Sequence, residues 1–477
     1  MNERILEKKR RTYGEHLTPI KIFKQFILGE IKDILYDYKW VDLYAGEGNL
    51  ILPILDIIPK ESRNKFFKNH IFLFDVQKEL VEKAIINATN YGISINIAQK
   101  NIIVKDTLSS FPKFILNSTI PVYHITNPPY LYIGYIMKHK ETNKYLKLFE
   151  GKNEGYQDLY QIAMINDLRN NVKKMIYIIP SNFLFGASGT NKIRDNFLKY
   201  YKINKAYILE QEIFKHTGVN VVILFFEKKL NPKDEILSFQ GIKINNSNKE
   251  KTYQLDPRFH YRAGNLFEEF VIKNKAKNPL KISYYLTNEE VKKNPGDYSI
   301  EVIDSNSYNG NQYAKKVINV NKTLYNKIKS NILFVRTVDT GSMNGRAGLY
   351  LVREWFGVDG ILVTKAKYRT HPIQIFLTPQ ISLHDQILLK KYFNLLLEYF
   401  RKNTDSEFMT TYKYSDSIYT RKYLGLSQAR KLIETFPINL SQSKKKLMSD
   451  LIKNNKNENL KSFIEHLFNT NDLTAYF

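Results

Sequence analysis

Short apolar runs alternate with stretches of helical periodicity over the first 230 residues, and that alternation predicts a parallel α/β sheet. The runs YKWVDLY, HIFLFD, PVYHIT, KKMIYIIP, INKAYILEQ and NVVILFFEK read as strands. Before the first of them, Ile20, Phe23, Phe26, Ile27, Ile31 and Ile34 share one stripe of a helix, with Thr18 as its N-cap and Pro19 at its first position. Further helices are expected through LILPILDII and from about Gln77 to Asn90. The last two strand runs are separated by a short loop, which predicts an antiparallel pair closing the sheet.

After Lys229 the pattern changes. The polar stretch NPKDEILSFQGIKINNSNKEKTYQ reads as a connection, so two domains are expected, 1–230 and 231–477. The second mixes strand-like NILFVRTVDTGS and GILVTKAKY with the helical HDQILLKKYFNLLLEYFRKN, giving an α+β expectation. The tail from SQSKKKLMSDLIK onward reads as charged surface helices.

Charge adds a partner to this picture. Lys and Arg number 72 against 47 Asp and Glu, a formal charge of +25, which suits a polyanion such as nucleic acid. Cysteine is absent, which excludes disulfides, Cys-ligated zinc or iron–sulfur sites and any thiolate nucleophile; no metal is expected. The N-terminus lacks the apolar core of a signal peptide and no long apolar span occurs, so a soluble cytoplasmic protein is expected.

The candidate chemistry gathers at strand ends. VDLYAGEGNL puts Asp42 at the end of a strand and Ala45, Gly46 and Gly48 in the turn after it, where glycines let a ligand approach the backbone. Asp75 ends the next strand and Asp106 comes after a third apolar run. At a fourth such edge stands NPPY, Asn127-Pro128-Pro129-Tyr130. Two prolines stiffen the backbone, so the Asn127 side-chain oxygen and the Pro128 carbonyl become two fixed acceptors suited to a flat NH2 group, and Tyr130 offers a ring for stacking.

The quartet resembles the motif of S-adenosylmethionine-dependent amino-methyltransferases, and the motif order is similar to that of DNA adenine-N6 methyltransferases of type II restriction–modification systems. GEHLTP, Gly14 to Pro19, resembles the segment that precedes the family's cofactor-binding strand; DLYAGEGNL, FLFDVQ and KDTL resemble its three cofactor motifs. GYQDLYQIA, IIPSNFLFG with Arg194, and IFKHTGVNVVILFFEK resemble the motifs downstream. Thr107 and Glu15-His16-Leu17 depart from the aromatics that relatives often carry.

The resemblance implies a Rossmann-like catalytic domain followed by a target-recognition domain. It implies S-adenosylmethionine held by Thr18, Asp42, Ala45, Gly46, Gly48, Asp75 and Asp106, and a flipped adenine held by Asn127, Pro128, Pro129 and Tyr130. Phe214 would pack on the base, and Arg346, Arg353, Lys365 and Lys367 would contact double-stranded DNA. A cognate restriction endonuclease is the implied partner. Asn rather than Ser at position 127 favours adenine over cytosine. The alternatives are the same chemistry on RNA or on a protein glutamine, and a DNA-binding protein that has lost catalysis.

Overall fold

The computed structural model describes residues 14, 17–211, 213–214, 220–245, 248–340, 345–365, 371–404, 406–413, 421–438 and 440–454. The chain forms two compact units, residues 1–263 with 412–420, and residues 264–411 with 421–477.

The first unit is built on a nine-stranded sheet. Its parallel part comprises β1 (Lys39–Asp42), β2 (Ile71–Asp75), β3 (Ile102–Val104), β4 (Val122–Thr126) and β5 (Lys174–Pro180), in the spatial order β3-β2-β1-β4-β5. Every residue of β1 and β4 is buried, as the near-continuous apolar runs require of strands covered on both faces. The expected antiparallel pair is present as β6 (Tyr201–Leu209) and β7 (Val221–Lys228), with Tyr207 opposite Ile223 and β7 lying against β5. Helix α1 (Lys78–Asn90) comes after β2, and α2 (Leu159–Arg169) precedes β5.

Three expectations shift. The boundary at 230 falls inside the first unit, because β8 (Leu237–Ile244) and β9 (Asn248–Leu255) extend the same sheet, β8 pairing parallel with β6. The alternation along LSFQGIKI is hidden within a polar stretch, so the stretch reads as a linker although it supplies a strand. LILPILDII forms a 3-10 turn at Leu52–Asp56 instead of an α-helix; residues 50–52, 54 and 55 are all buried, so no polar face exists for an amphipathic helix to show. Finally, the first helix starts at Ile20 with Pro19 as its cap and a π-helical segment at Phe23–Ile27, and Thr18 makes no capping bond.

The second unit is mixed α+β. Its strands include, in chain order, β10 (Lys281–Tyr284), β11 (Leu286–Thr287), β12 (Tyr298–Asn309), β13 (Gln312–Val320), β14 (Leu333–Arg336), β15 (Val338–Asp339), β16 (Gly348–Leu351), β17 (Gly360–Val363) and β18 (Ile373–Thr378). One four-stranded sheet runs β10-β18-β14-β16 and another β11-β17-β12-β13, with β15 outside both. The short helix α3 (Val352–Phe356) precedes β17. The long helix α4 (Leu383–Thr404) buries Leu389, Tyr392, Phe393, Leu396, Leu397 and Phe400, the i, i+3, i+4 stripe visible in LLKKYFNLLLEYF. Among the described residues no helix is long and apolar enough to cross a membrane. The tail helix Gln442–Asn454 buries Met448 at this core, so it is more than a solvated surface helix; the rest of the tail, from residue 455, lies outside the described residues.

Candidate active site

The strand order reverses between β1 and β4, and a cleft opens there beyond the strand ends, where open α/β sheets bind ligands. Thr18, Asp42, Ala45, Gly46, Asp75, Asp106, Asn127, Pro128 and Pro129 all line it, residues drawn from more than a hundred positions of chain. Gly48 and Tyr130 are not among the residues that line it.

Asp42 is buried, and one of its oxygens accepts from the Tyr44 backbone N–H at 3.0 Å and the Thr126 hydroxyl at 2.6 Å. Burial pushes its carboxyl up to about 6, against the pull of these donors. Asp75 shapes the glycine turn itself: one oxygen accepts from Gly46 N–H at 2.9 Å and the other from Gln77 N–H at 2.8 Å. Gly48 is needed for a different reason than ligand approach. Its φ is +83°, and a Cβ there would lie 2.6 Å from the buried Leu52 side chain, so the position serves core packing. Asp106 is exposed and takes the ordinary turn-capping role as well, its two oxygens accepting from the backbone and hydroxyl of Ser109.

Asn127 is held at both ends of its amide. Its Nδ2 donates to the Thr18 hydroxyl at 3.0 Å, which explains why Thr18 is not spent on capping. Its Oδ1 accepts from the Tyr130 hydroxyl. That single phenolic proton has a second acceptor in the Ile178 carbonyl at 2.6 Å. Tyr130 therefore differs from the expected open stacking platform: its ring packs between the two core clusters flanking the sheet, edge-on to Tyr160 at 6.3 Å, and burial raises its hydroxyl well above the usual tyrosine range. The loop is fixed from behind by Gly14, whose carbonyl accepts from Tyr130 N–H at 3.0 Å; a Cβ on Gly14 would stand 2.6 Å from the Tyr130 carbonyl oxygen.

Asp158 of the Asp-Leu-Tyr segment holds the other side of the same loop. It caps α2 and accepts from Leu131 N–H at 2.9 Å, and Ile133 N–H donates to the Gln157 carbonyl. Burial lifts its carboxyl to about 7 although three backbone N–H groups oppose the shift. Beneath β1, His124 Nδ1 meets Asp167 at 2.6 Å, and the Leu43 N–H donates to Nε2 at 3.3 Å. Nε2 is thus an acceptor and Nδ1 carries the proton, which fixes the neutral tautomer. Tyr177 donates to the same Asp167 oxygen at 2.6 Å.

Arg194 is fully buried and, among the described residues, has no carboxylate partner, yet all five of its donors are used. They reach the carbonyls of His260, Phe183 and Gly186 and the side-chain oxygens of Thr190 and Asn191. Burial draws its guanidinium down to about 9. The residue clamps the segment after β5 instead of facing the cleft.

The substrate-side expectations fare unevenly. Phe214 is only 3% exposed and belongs to the core cluster of the first unit, so packing accounts for it. In the second unit Arg346 faces Asp339 and Glu398, at 4.0 and 3.6 Å. Arg353 is 72% exposed but bridges to Asp359 at 2.5 Å. Lys365 is exposed, and Lys367 lies outside the described residues. Sequence reasoning did not reach the cleft's Lys144, Tyr145, Lys147 and Leu148, contributed by a 3-10 helical segment at Lys140–Phe149 that carries no strand-end signature.

The donor set fits the expected cofactor. A second Asp42 oxygen has no partner among the described residues and can accept from an ammonium, the acids Asp75 and Asp106 can accept from hydroxyls and an amine, and Val76, Leu108 and Leu159 offer apolar walls to a flat ring.

Among solved structures the chain is similar to the type IIL restriction-modification enzyme MmeI in complex with DNA, at 14% identity and a TM-score of 0.52 over 100% of this chain and 76% of that one. It also matches the DrdV–DNA complex, at 12% identity and a TM-score of 0.38 over 54% of this chain and 32% of that one. A type I restriction-modification methyltransferase subunit from Streptococcus thermophilus matches at 18% identity and a TM-score of 0.35, over 52% and 53% of the two chains. This chain thus spans about a third of DrdV and about half of the Streptococcus subunit. No curated protein matches it. The N-6 DNA methylase profile matches residues 3–349, which takes in the whole cleft and all but the last part of the chain, and the protein belongs to that family.

Proposed function

We propose that this chain transfers a methyl group from S-adenosylmethionine to the N6 amine of an adenine swung out of duplex DNA, as the modification activity of a restriction–modification system. The observation that carries the reading is the meeting of Asn127 and Pro128 with Asp75 and Asp106 on one cleft, which sets two amine acceptors beside a set of groups suited to the cofactor. When bound, S-adenosylmethionine supplies an electrophilic methyl on a positively charged sulfur. Asp42 would take the ammonium of its methionine end, the Ala45–Gly46 turn would leave room for it, Asp75 would take the ribose hydroxyls and Asp106 the adenine amine.

An exocyclic adenine amine is a poor nucleophile because its lone pair is delocalised into the ring. Asn127 Oδ1 and the Pro128 carbonyl accept its two N–H bonds, which draws the nitrogen toward a tetrahedral shape, aims the lone pair and stabilises the positive charge that develops. Thr18 keeps the Asn127 amide from flipping. Tyr130 acts as a positioning residue: handing its proton from Asn127 to the Ile178 carbonyl frees Oδ1 for the amine. No covalent intermediate is needed, and the surplus proton leaves to solvent. Extruding the base costs a few kcal/mol of unstacking, offset by contacts in the pocket. The second unit supplies DNA contacts, a cognate endonuclease reads the same sequence, and the protein works in the cytoplasm.

Transfer of labelled methyl to duplex DNA, RNA and protein acceptors, with nucleoside analysis of the products, tests this. N6-methyladenine in DNA is expected; label confined to RNA or protein contradicts it.

A further inference from the structure

The β12–β13 hairpin changes character toward its tip. Pairing runs from Tyr298 opposite Val320 to Asp304 opposite Ala314, breaks at a bulge, and resumes at Tyr308 opposite Tyr313 and Asn309 opposite Gln312, around Gly310 at φ +59°. The bulge is pinned from beneath. Asp304 accepts from Lys316, Ser307 and Thr364, and Asn306 accepts from the backbone N–H groups of Thr364 and Lys365. The tip is braced on one side by Tyr313, whose ring lies 4.7 Å from that of Tyr308 and 5.8 Å from that of Phe356.

Beyond this brace Asn309, Asn311 and Gln312 are exposed, and among the described residues their side-chain amides make no hydrogen bond. From Ser305 to Val320 there is no acidic residue, while Lys315 and Lys316 are present, and exposed Lys365 stands beside the bulge, its backbone N–H on Asn306. A two-stranded ribbon fits a major groove about 12 Å wide, and an Asn or Gln amide offers the donor and acceptor that match adenine N6 and N7. Lysines flanking such a tip suit phosphates. The pinned bulge and the aromatic brace fix the backbone that carries these amides, so the amides are presented together on one side of a supported ribbon.

We propose that the hairpin tip, Asn309 to Gln312, enters the major groove of duplex DNA and reads base edges, with Lys315 and Lys365 on the phosphates. This deepens the DNA-methylation reading above and rests on it. The test uses the full chain, S-adenosylmethionine and a duplex library with a randomised central segment, with N6-methyladenine mapped by sequencing. For the combined variant Asn309→Ala, Asn311→Ala, Gln312→Ala, kcat/KM on the wild type's preferred sequence is expected to fall by roughly ten- to several-hundredfold and preference to relax at one or two positions. Cofactor binding and thermal stability, read on the same preparation, stay at wild-type values. Lys315→Ala is expected to weaken all sequences alike and to lower the salt dependence. A triple variant that methylates the same sequence at the wild-type rate overturns the hairpin assignment and leaves the proposed function standing. A wild type that methylates RNA only, or no nucleic acid, overturns both.

Discussion

The candidate active-site cleft and the β12–β13 tip handle polar side chains in opposite ways. Around the cleft, Asn127 is held by Thr18 and Tyr130, the 131–133 backbone by Asp158 and Gln157, and Asp75 by the glycine turn. At the tip the amides of Asn309, Asn311 and Gln312 have no hydrogen-bond partner among the described residues, although the ribbon beneath them is pinned. Chemistry on one amine demands acceptors placed in advance, because reorganising them during the reaction would raise the barrier. Reading a surface demands groups left open for the partner. Basic residues alone do not make such a surface: Arg346 and Arg353 face carboxylates of their own unit.

This contrast can be broken at several points. The largest stability effect is expected at Arg194. Arg194→Ala strands five buried acceptors, and chemical denaturation should show a loss of roughly 3–5 kcal/mol, whereas an exposed lysine would register almost nothing. Next comes Gly14→Ala, where the added Cβ meets the Tyr130 carbonyl oxygen at 2.6 Å and must push the Asn127 loop aside. Methyl transfer should fall by about tenfold to a hundredfold, with cofactor affinity changed far less.

Asp158→Asn sharpens the contrast through pH. The folded Asp158 carboxyl lies near 7, above its ordinary value, so it favours the fold when protonated, and that contribution fades as pH rises toward and through about 7. Asparagine carries no such charge and still offers an acceptor to Leu131. The melting temperature of the variant relative to wild type should therefore rise between pH 5 and pH 8; a constant difference would show that Asp158 does not titrate there. The smallest effect is expected for Arg353→Ala, less than about twofold on DNA affinity, because its partner is Asp359 at the surface.

Much of the cleft was legible in the sequence because strand ends, glycine turns and a Pro-Pro pair are local signals. The strand runs locate Asp42, Asp75 and Asn127, and a parallel sheet brings their ends together. What escaped depends on tertiary packing. Nothing local says that the Thr18 hydroxyl turns to Asn127 instead of capping its helix, that Gly48 answers to Leu52, or that the half-buried Tyr130 ring packs against both core clusters. The strand in LSFQGIKI was masked by polar neighbours and by its place near the edge of the sheet. In the second unit, charge marked arginines that fold back onto carboxylates such as Asp359 and Asp339, and passed over uncharged amides in a hairpin turn.

The central claim is that Asn127 acts on the amine and not on the cofactor. The most direct measurement compares single-turnover methyl transfer to DNA and S-adenosylmethionine affinity for wild type and Asn127→Ala. Transfer should fall by at least about 10²- to 10³-fold while cofactor affinity stays within about threefold. Transfer at the wild-type rate, or a loss explained wholly by weaker cofactor binding, would contradict the account.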